Sequence, residues 1–128
     1  MGEMVMRGIR GAITVDKNNS DLIIDGTKEL LKEIVKQNNL QTEDICSVLF
    51  TITKDLNAEF PALAAREMGW NTVPLLCALE PDISGALPRC IRVLIHVNTR
   101  LKQNQMKHVY LRDAVILRPD LANQKILR

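Results

Sequence analysis

The chain has 128 residues, with 17 Lys+Arg against 15 Asp+Glu and a formal net charge of +2. That length fits one core rather than two, and hydrophobic and charged shares of 46% and 25% exclude disordered and collagen-like classes. Near-neutrality leaves no electrostatic footprint for wrapping nucleic acid or an anionic membrane, and four aromatics (Phe50, Phe60, Trp70, Tyr110) are too few for a base-stacking platform.

Met4–Val15 reads as a strand that is apolar on both faces, which predicts a sheet covered on both sides. After the turn-forming Asp16-Lys17-Asn18-Asn19, Ser20 is the expected N-cap of a helix running to about Asn38. Its apolar stripe is Ile23, Thr27, Leu30, Leu31, Ile34 and Val35, with Lys28, Lys32 and Lys36 on the solvated side. Gly26 weakens that helix by about 1 kcal/mol relative to alanine, so packing must hold it. A second strand is predicted over Ile45–Thr53, then a short helix opened by Pro61 and closed near Gly69. Thr72–Glu80 reads as a third strand, which Pro74 places at an edge or starts. Ser84–Pro88 is a turn, and Cys90–Thr99 is a fourth strand, β-branched at Ile91, Val93, Ile95 and Val97. Leu101–Lys107 connects to a fifth strand, Val109–Leu117, with a break expected around Arg112-Asp113, and Arg118-Pro119 stops it. The order βαβαββ describes one α/β (α+β) domain over residues 1–128 with a mixed five-stranded sheet, one long helix and one short helix.

Cys46, Cys77 and Cys90 sit in apolar runs, and no CxxC, CxxH or HExxH occurs, so zinc and dithiol redox chemistry lack a basis. Met1–Arg7 lacks the long apolar stretch of a signal peptide, and nothing approaches the roughly 20 apolar residues of a membrane span. A reduced, cytoplasmic protein is expected.

The informative charges are arginines inside strands. Arg10 lies within Ile9-Arg10-Gly11-Ala12-Ile13 and Arg92 within Cys90-Ile91-Arg92-Val93-Leu94-Ile95. Arginine is almost never fully buried without a partner, and the clearest acid on a predicted strand is Glu80. The positive surplus is closed by further acids, by a bound anion, or by arginines at strand ends reaching water, and the residues alone leave these three open. A guanidinium fork suits a carboxylate bidentately, and two suit a dicarboxylate. Tyr110 could add a hydroxyl donor, and Arg118 lies where a tail could fold over a mouth. No GxSxG, phosphate-binding glycine loop or His/Ser/Asp arrangement appears, and His96 and His108 have no obvious partners, which favours structural roles for both.

Taken together, these segments resemble the AroH-class chorismate mutases over about Met6 to Leu121. The resemblance rests on Arg7-Gly8-Ile9-Arg10-Gly11-Ala12, Asp55-Leu56-Asn57-Ala58-Glu59-Phe60-Pro61-Ala62, Ala65-Arg66-Glu67, Gly69-Trp70, Val73-Pro74 and Cys77. It continues through Cys90-Ile91-Arg92-Val93, His108-Val109-Tyr110-Leu111 and Leu117-Arg118-Pro119-Asp120-Leu121. It implies a cytoplasmic homotrimer of barrel-like architecture that converts chorismate to prephenate on the route to phenylalanine and tyrosine. The reaction is an intramolecular Claisen rearrangement needing no metal or cofactor, catalysed by holding a dianion in its reactive conformer and stabilising charge separation.

By the same resemblance, Arg92 donates to the ether oxygen, Arg10 pairs with a carboxylate, Tyr110 adds a hydroxyl and Glu80 meets the ring hydroxyl. Cys77 is implied as a pocket cysteine, Phe60 and Leu117 as apolar walls, and Arg66 and Arg118 as rim residues. The family's sites lie between subunits, with Arg10 and the Glu80–Arg92 set from different chains. Alternation puts Cys77 and Glu80 on opposite strand faces unless the strand ends or bulges between them. Leu63 and Leu76 depart from the family's lysine and threonine. Two other functions fit an arginine-lined site: a non-catalytic trimeric sensor of a small carboxylate metabolite, and a trimeric enamine/imine deaminase, for which no water-activating arrangement is visible.

Overall fold

The computed structural model describes residues 2–122. Five strands, β1 (Val5–Thr14), β2 (Ile45–Ile52), β3 (Leu75–Leu79), β4 (Cys90–Thr99) and β5 (Val109–Leu111), form one mixed sheet in the order β3-β2-β4-β1-β5. Among the described residues three α-helices accompany them: α1 (Ser20–Asn38), α2 (Ala62–Glu67) and the short α3 (Pro119–Ala122). β4 is antiparallel to both neighbours, whereas β2–β3 and β1–β5 are parallel pairs. The architecture is α+β, as the residue pattern predicted, and β4 has the predicted bounds. No helix among the described residues is long and apolar enough to cross a membrane.

α1 starts one residue earlier than Ser20 would dictate. Asn19 is the cap, with extended backbone and its side chain accepting from Leu22 N–H at 3.1 Å. The Ser20 hydroxyl instead donates to Glu59. Ile23, Leu30, Leu31 and Ile34 bury completely against the sheet. Two glycines set how closely they approach. A Cβ on Gly11 of β1 would lie 2.8 Å from Ile34 Cδ1 and 3.2 Å from Leu30 Cδ1, and one on Gly26 would lie 2.8 Å from Val15 Cγ1. Gly26 therefore trades helix propensity for contact with the sheet.

The prediction of cover on both faces fails for the single chain. Ile9, Ile13, Phe50, Ile91 and Ile95 face the helices and are fully buried. On the opposite face the described residues form only a small cluster, Ala12, Cys90 and Ala114 under Leu87, Tyr110 and Leu117. Elsewhere on that face Arg10, Arg92 and Leu76 are exposed, and Leu49, Thr51, Leu94 and His96 are half-buried.

β3 begins at Leu75 rather than Thr72, and it is the edge strand that Pro74 foretold. The Pro74 carbonyl accepts Val48 N–H at 2.9 Å while its own nitrogen has no proton to offer. The fifth strand breaks where the sequence placed the break, at Arg112, but it does not resume toward Leu117. It stops at Leu111, and Arg112–Leu117 forms a 3-10 turn because Arg112 takes a left-handed φ of 54°. Its guanidinium holds that conformation by donating to Thr14 C=O at 3.0 Å and to Glu29 at 2.8 Å.

Candidate active site

Cross-strand register builds the site on the helix-free face. Arg92 of β4 stands opposite Ala12 of β1 and Thr51 of β2, and Tyr110 of β5 stands opposite Ala12 from the other side. Ala12 itself is buried in the small cluster that Tyr110 and Leu117 pack against. A cleft of about 330 Å³ opens on this face, lined by Arg10, Leu49, Thr51, Glu80, Arg92, Leu94, Tyr110, Leu117 and Arg118, with Gly11 and Val93 at its floor. That volume suits a small metabolite.

Glu80 is fixed from three directions. Its N–H donates to Ile52 C=O at 2.8 Å, its Oε1 accepts from Thr51 Oγ1 at 2.6 Å, and the same oxygen forms an ion pair with Arg92 Nε at 3.4 Å. The Arg92 side chain is 48% exposed and Glu80 20%, so this ion pair adds little to stability, about 0–1 kcal/mol. Its effect is to aim Arg92 along the cleft. Behind it the Cys90 thiol is pushed up to about 11 by burial, against the lowering effect of the neighbouring Arg92, which hydrogen-bonds it. The thiol therefore stays neutral beside the guanidinium.

Arg10 reaches the cleft from β1, and no ion pair holds its guanidinium among the described residues. Its backbone N–H donates to His108 Nδ1 at 2.9 Å. Arg118, just past the 3-10 turn, is gripped by Asp120 through two bonds of 3.1 and 2.9 Å, and that hydrogen bonding draws the Asp120 carboxyl down. Three arginines thus face one glutamate across the lining. The bias is toward an anion. Among the described residues no cluster of three His, Cys, Asp or Glu could hold a metal ion.

The structure brings together Arg10, Glu80, Arg92, Tyr110, Leu117 and Arg118 in one chain. This corrects the expectation that Arg10 and the Glu80–Arg92 set come from different subunits: β1 and β2 flank β4, so both sets converge on Arg92 within a single sheet. Phe60, Arg66 and Cys77 lie outside the cleft. Phe60 precedes α2 and is 65% exposed, and Arg66 is exposed on α2. Cys77 pairs with Phe50 in an unbroken Leu75–Leu79 register, so its side chain faces the helices while Glu80 faces the cleft. Burial raises the Cys77 thiol, opposed by a hydrogen bond from Ala62 and by the Arg66 charge. Pro74 C=O and Glu80 N–H both point to β2, so alternation turns the Cys77 backbone groups outward to the open sheet edge.

Sequence reasoning missed Thr51 and His108 as contributors. Thr51 interrupts an apolar strand, but its meaning depends on the pairing that sets it against Arg92. His96, the other histidine, contacts Ser47 Oγ at 3.1 Å.

The family described as chorismate mutase type I matches residues 6–121. The chain belongs to the chorismate mutase type I family. Chorismate mutases are isomerases, and the chain belongs to that reaction class. It is 46% identical over 123 residues to chorismate mutase AroH of Bacillus subtilis (strain 168), covering 95% of this chain and 97% of that protein. It is 50% identical over 118 residues to chorismate mutase AroH of Thermus thermophilus, covering 91% and 97%. The solved structure of a chorismate mutase from Clostridium thermocellum superposes with a TM-score of 0.84 at 50% identity, covering 85% of this chain and 97% of that one.

Proposed function

We propose that chorismate rearranges to prephenate in the cleft between Arg10, Glu80 and Arg92, the step that commits chorismate toward phenylalanine and tyrosine. The observation that carries this reading is the Arg92–Glu80 pair facing an Arg10 that has no ion-pair partner among the described residues, across a cleft whose described lining contains no Ser, Cys or His. In the rearrangement one ether C–O bond breaks and one C–C bond forms within the same molecule. No atom enters or leaves, so positioned charge is what the protein must supply. Arg10 and Tyr110 hold carboxylate, with Arg118 at the mouth. Glu80 accepts the ring hydroxyl. Arg92 donates to the ether oxygen as negative charge grows there, and Leu117 forms an apolar wall.

One preorganised donor at a developing oxyanion contributes roughly 2.7–4 kcal/mol, or 10²–10³ in kcat. Purified protein should convert chorismate without added metal or cofactor, and Arg92→Ala should lose about 10²–10³-fold or more in kcat while circular dichroism stays unchanged. Full activity in a folded Arg92→Ala protein would overturn the assignment. Saturable binding of chorismate without turnover would instead identify a carboxylate sensor.

The working unit in this reading is a homotrimer with three shared sites. A single chain leaves the cleft face of its sheet open, and Phe60 and Arg66 are exposed away from the chain's own cleft. A neighbouring subunit would bring Phe60 as a wall, Arg66 as a rim cation and the outward backbone of Cys77 as hydrogen-bonding groups. Three free cysteines suit the reducing cytoplasm, where we place the enzyme.

A further inference from the structure

Upstream of β5, side chains take the place of a strand along the free edge of β1. Gly8 N–H donates to Gln103 Oε1 at 3.0 Å, and Gln103 Nε2 donates back to Gly8 C=O at 2.6 Å. Two residues on, Arg10 N–H donates to His108 Nδ1 at 2.9 Å. Backbone pairing takes over only at Gly11, opposite Val109. On this side the segment that carries Arg10 is therefore held by one amide and one imidazole, while its other side keeps its ladder to β4.

A ring nitrogen accepts a hydrogen bond only when it carries no proton, so this contact requires neutral His108 with its proton on Nε2. A second cavity of about 350 Å³ borders the imidazole and shares Arg10 and Arg118 with the cleft. Among the described residues the charged groups facing His108 are Arg10 from β1 and Arg118 from the segment after the 3-10 turn, and Asp120 of α3 is engaged by Arg118. Burial first, and then these two cations, hold the imidazole below its ordinary range.

We propose that neutral His108 is a positioning residue for Arg10: its Nδ1 stands in for a strand carbonyl and fixes the backbone from which the Arg10 guanidinium reaches a substrate carboxylate. This rests on the assignment of Arg10 to that carboxylate. Protonation replaces the acceptor with a donor facing the Arg10 N–H, and it places a third cation between Arg10 and Arg118. The loss therefore sets in as pH falls below the usual imidazole range.

The test compares wild type, His108→Asn and His108→Leu by the pH dependence of kcat and KM for chorismate, together with the pH dependence of the Arg10 amide resonance in ¹⁵N-labelled protein. Asparagine offers an oxygen near the Nδ1 position and does not titrate. His108→Asn should retain kcat/KM within about three-fold at neutral pH and lack the acid limb seen in wild type. His108→Leu should lose about ten-fold or more in kcat/KM, mainly through KM, because the carboxylate contact is made in ground and transition states alike. In wild type the Arg10 amide should track the His108 titration, and in His108→Asn it should not. An unchanged acid limb in His108→Asn, or an impairment equal to that of His108→Leu, would overturn the proposal. So would an Arg10 amide that ignores pH in wild type. The amide readout needs no turnover, so a protein inert toward chorismate would refute the assigned reaction while the His108–Arg10 contact is still decided.

Discussion

At the residue scale the site is a matter of which groups stay charged. Cys90 is buried beside Arg92, yet its thiol is raised to about 11 from an ordinary 9.0, so burial outweighs the guanidinium. Because the native state keeps this proton to a higher pH than the unfolded chain does, the linked stability is complete below 9.0 and is lost as pH rises toward about 11. We expect the urea midpoint to fall across that interval, and to fall less in Cys90→Ala. At mildly alkaline pH, iodoacetamide should modify the partly exposed Cys46 well before Cys90, and denaturation should abolish the difference.

Arg10, Arg92 and Glu80 were legible in the sequence because a charge inside an apolar run demands an explanation whatever the fold. Thr51 and His108 were not legible. A threonine in a strand is ordinary, and a histidine 98 positions from Arg10 acquires meaning only through the pairing of β1 with the segment that leads into β5. Cys77 shows the reverse case: simple alternation predicted its face correctly, and the uninterrupted β3 register leaves its side chain on the helix side.

At the element scale, the long β4 was readable to its ends because apolar alternation, a preceding turn and β-branched residues agree. For β5 the position of the break was readable but the loss of strand beyond it was not, because the feature that ends it is a left-handed arginine rather than glycine or proline. Arg112 adopts φ 54° on the strength of contacts to Thr14 and Glu29, residues remote in sequence. Close packing of α1 on β1 gives a sharper expectation. Gly11→Ala would set a methyl 2.8 Å from Ile34 Cδ1 and 3.1 Å from the Val109 carbonyl, which ties β1 to β5. Overpacking of this kind costs about 1–3 kcal/mol, so thermal unfolding should shift downward by several degrees. An unshifted midpoint would show that α1 can move away freely. Since Gly11 adjoins Arg10, kcat/KM should decline as well.

At the scale of the whole molecule, one sheet face is packed and the other is open. Leu76 on that open side is 66% exposed, and Phe60, beside α2, is nearly as exposed. A trimer that shares its sites makes activity depend on concentration. Sedimentation at working concentration should give three copies, and specific activity should fall on dilution in step with dissociation. A monomer with full activity would remove the subunit-sharing part of the reading. The departures at Leu63 and Leu76 were visible as residues, but only the fold shows that Leu76 is exposed on the edge strand, where a neighbour would meet it.

The placement of β1 between β4 and β5 has a consequence for how the protein is made. β1 finds its partners only when Cys90–Thr99 and then Val109–Leu111 have been synthesised. At roughly 5–20 residues per second, β1 waits about 5–20 seconds as an unpaired apolar segment. During that interval its defence against sticking to other nascent chains is what it carries itself: Arg7 and Arg10, spaced along the strand. The arginine that we assign to the substrate carboxylate is thereby expected to restrain aggregation during synthesis as well.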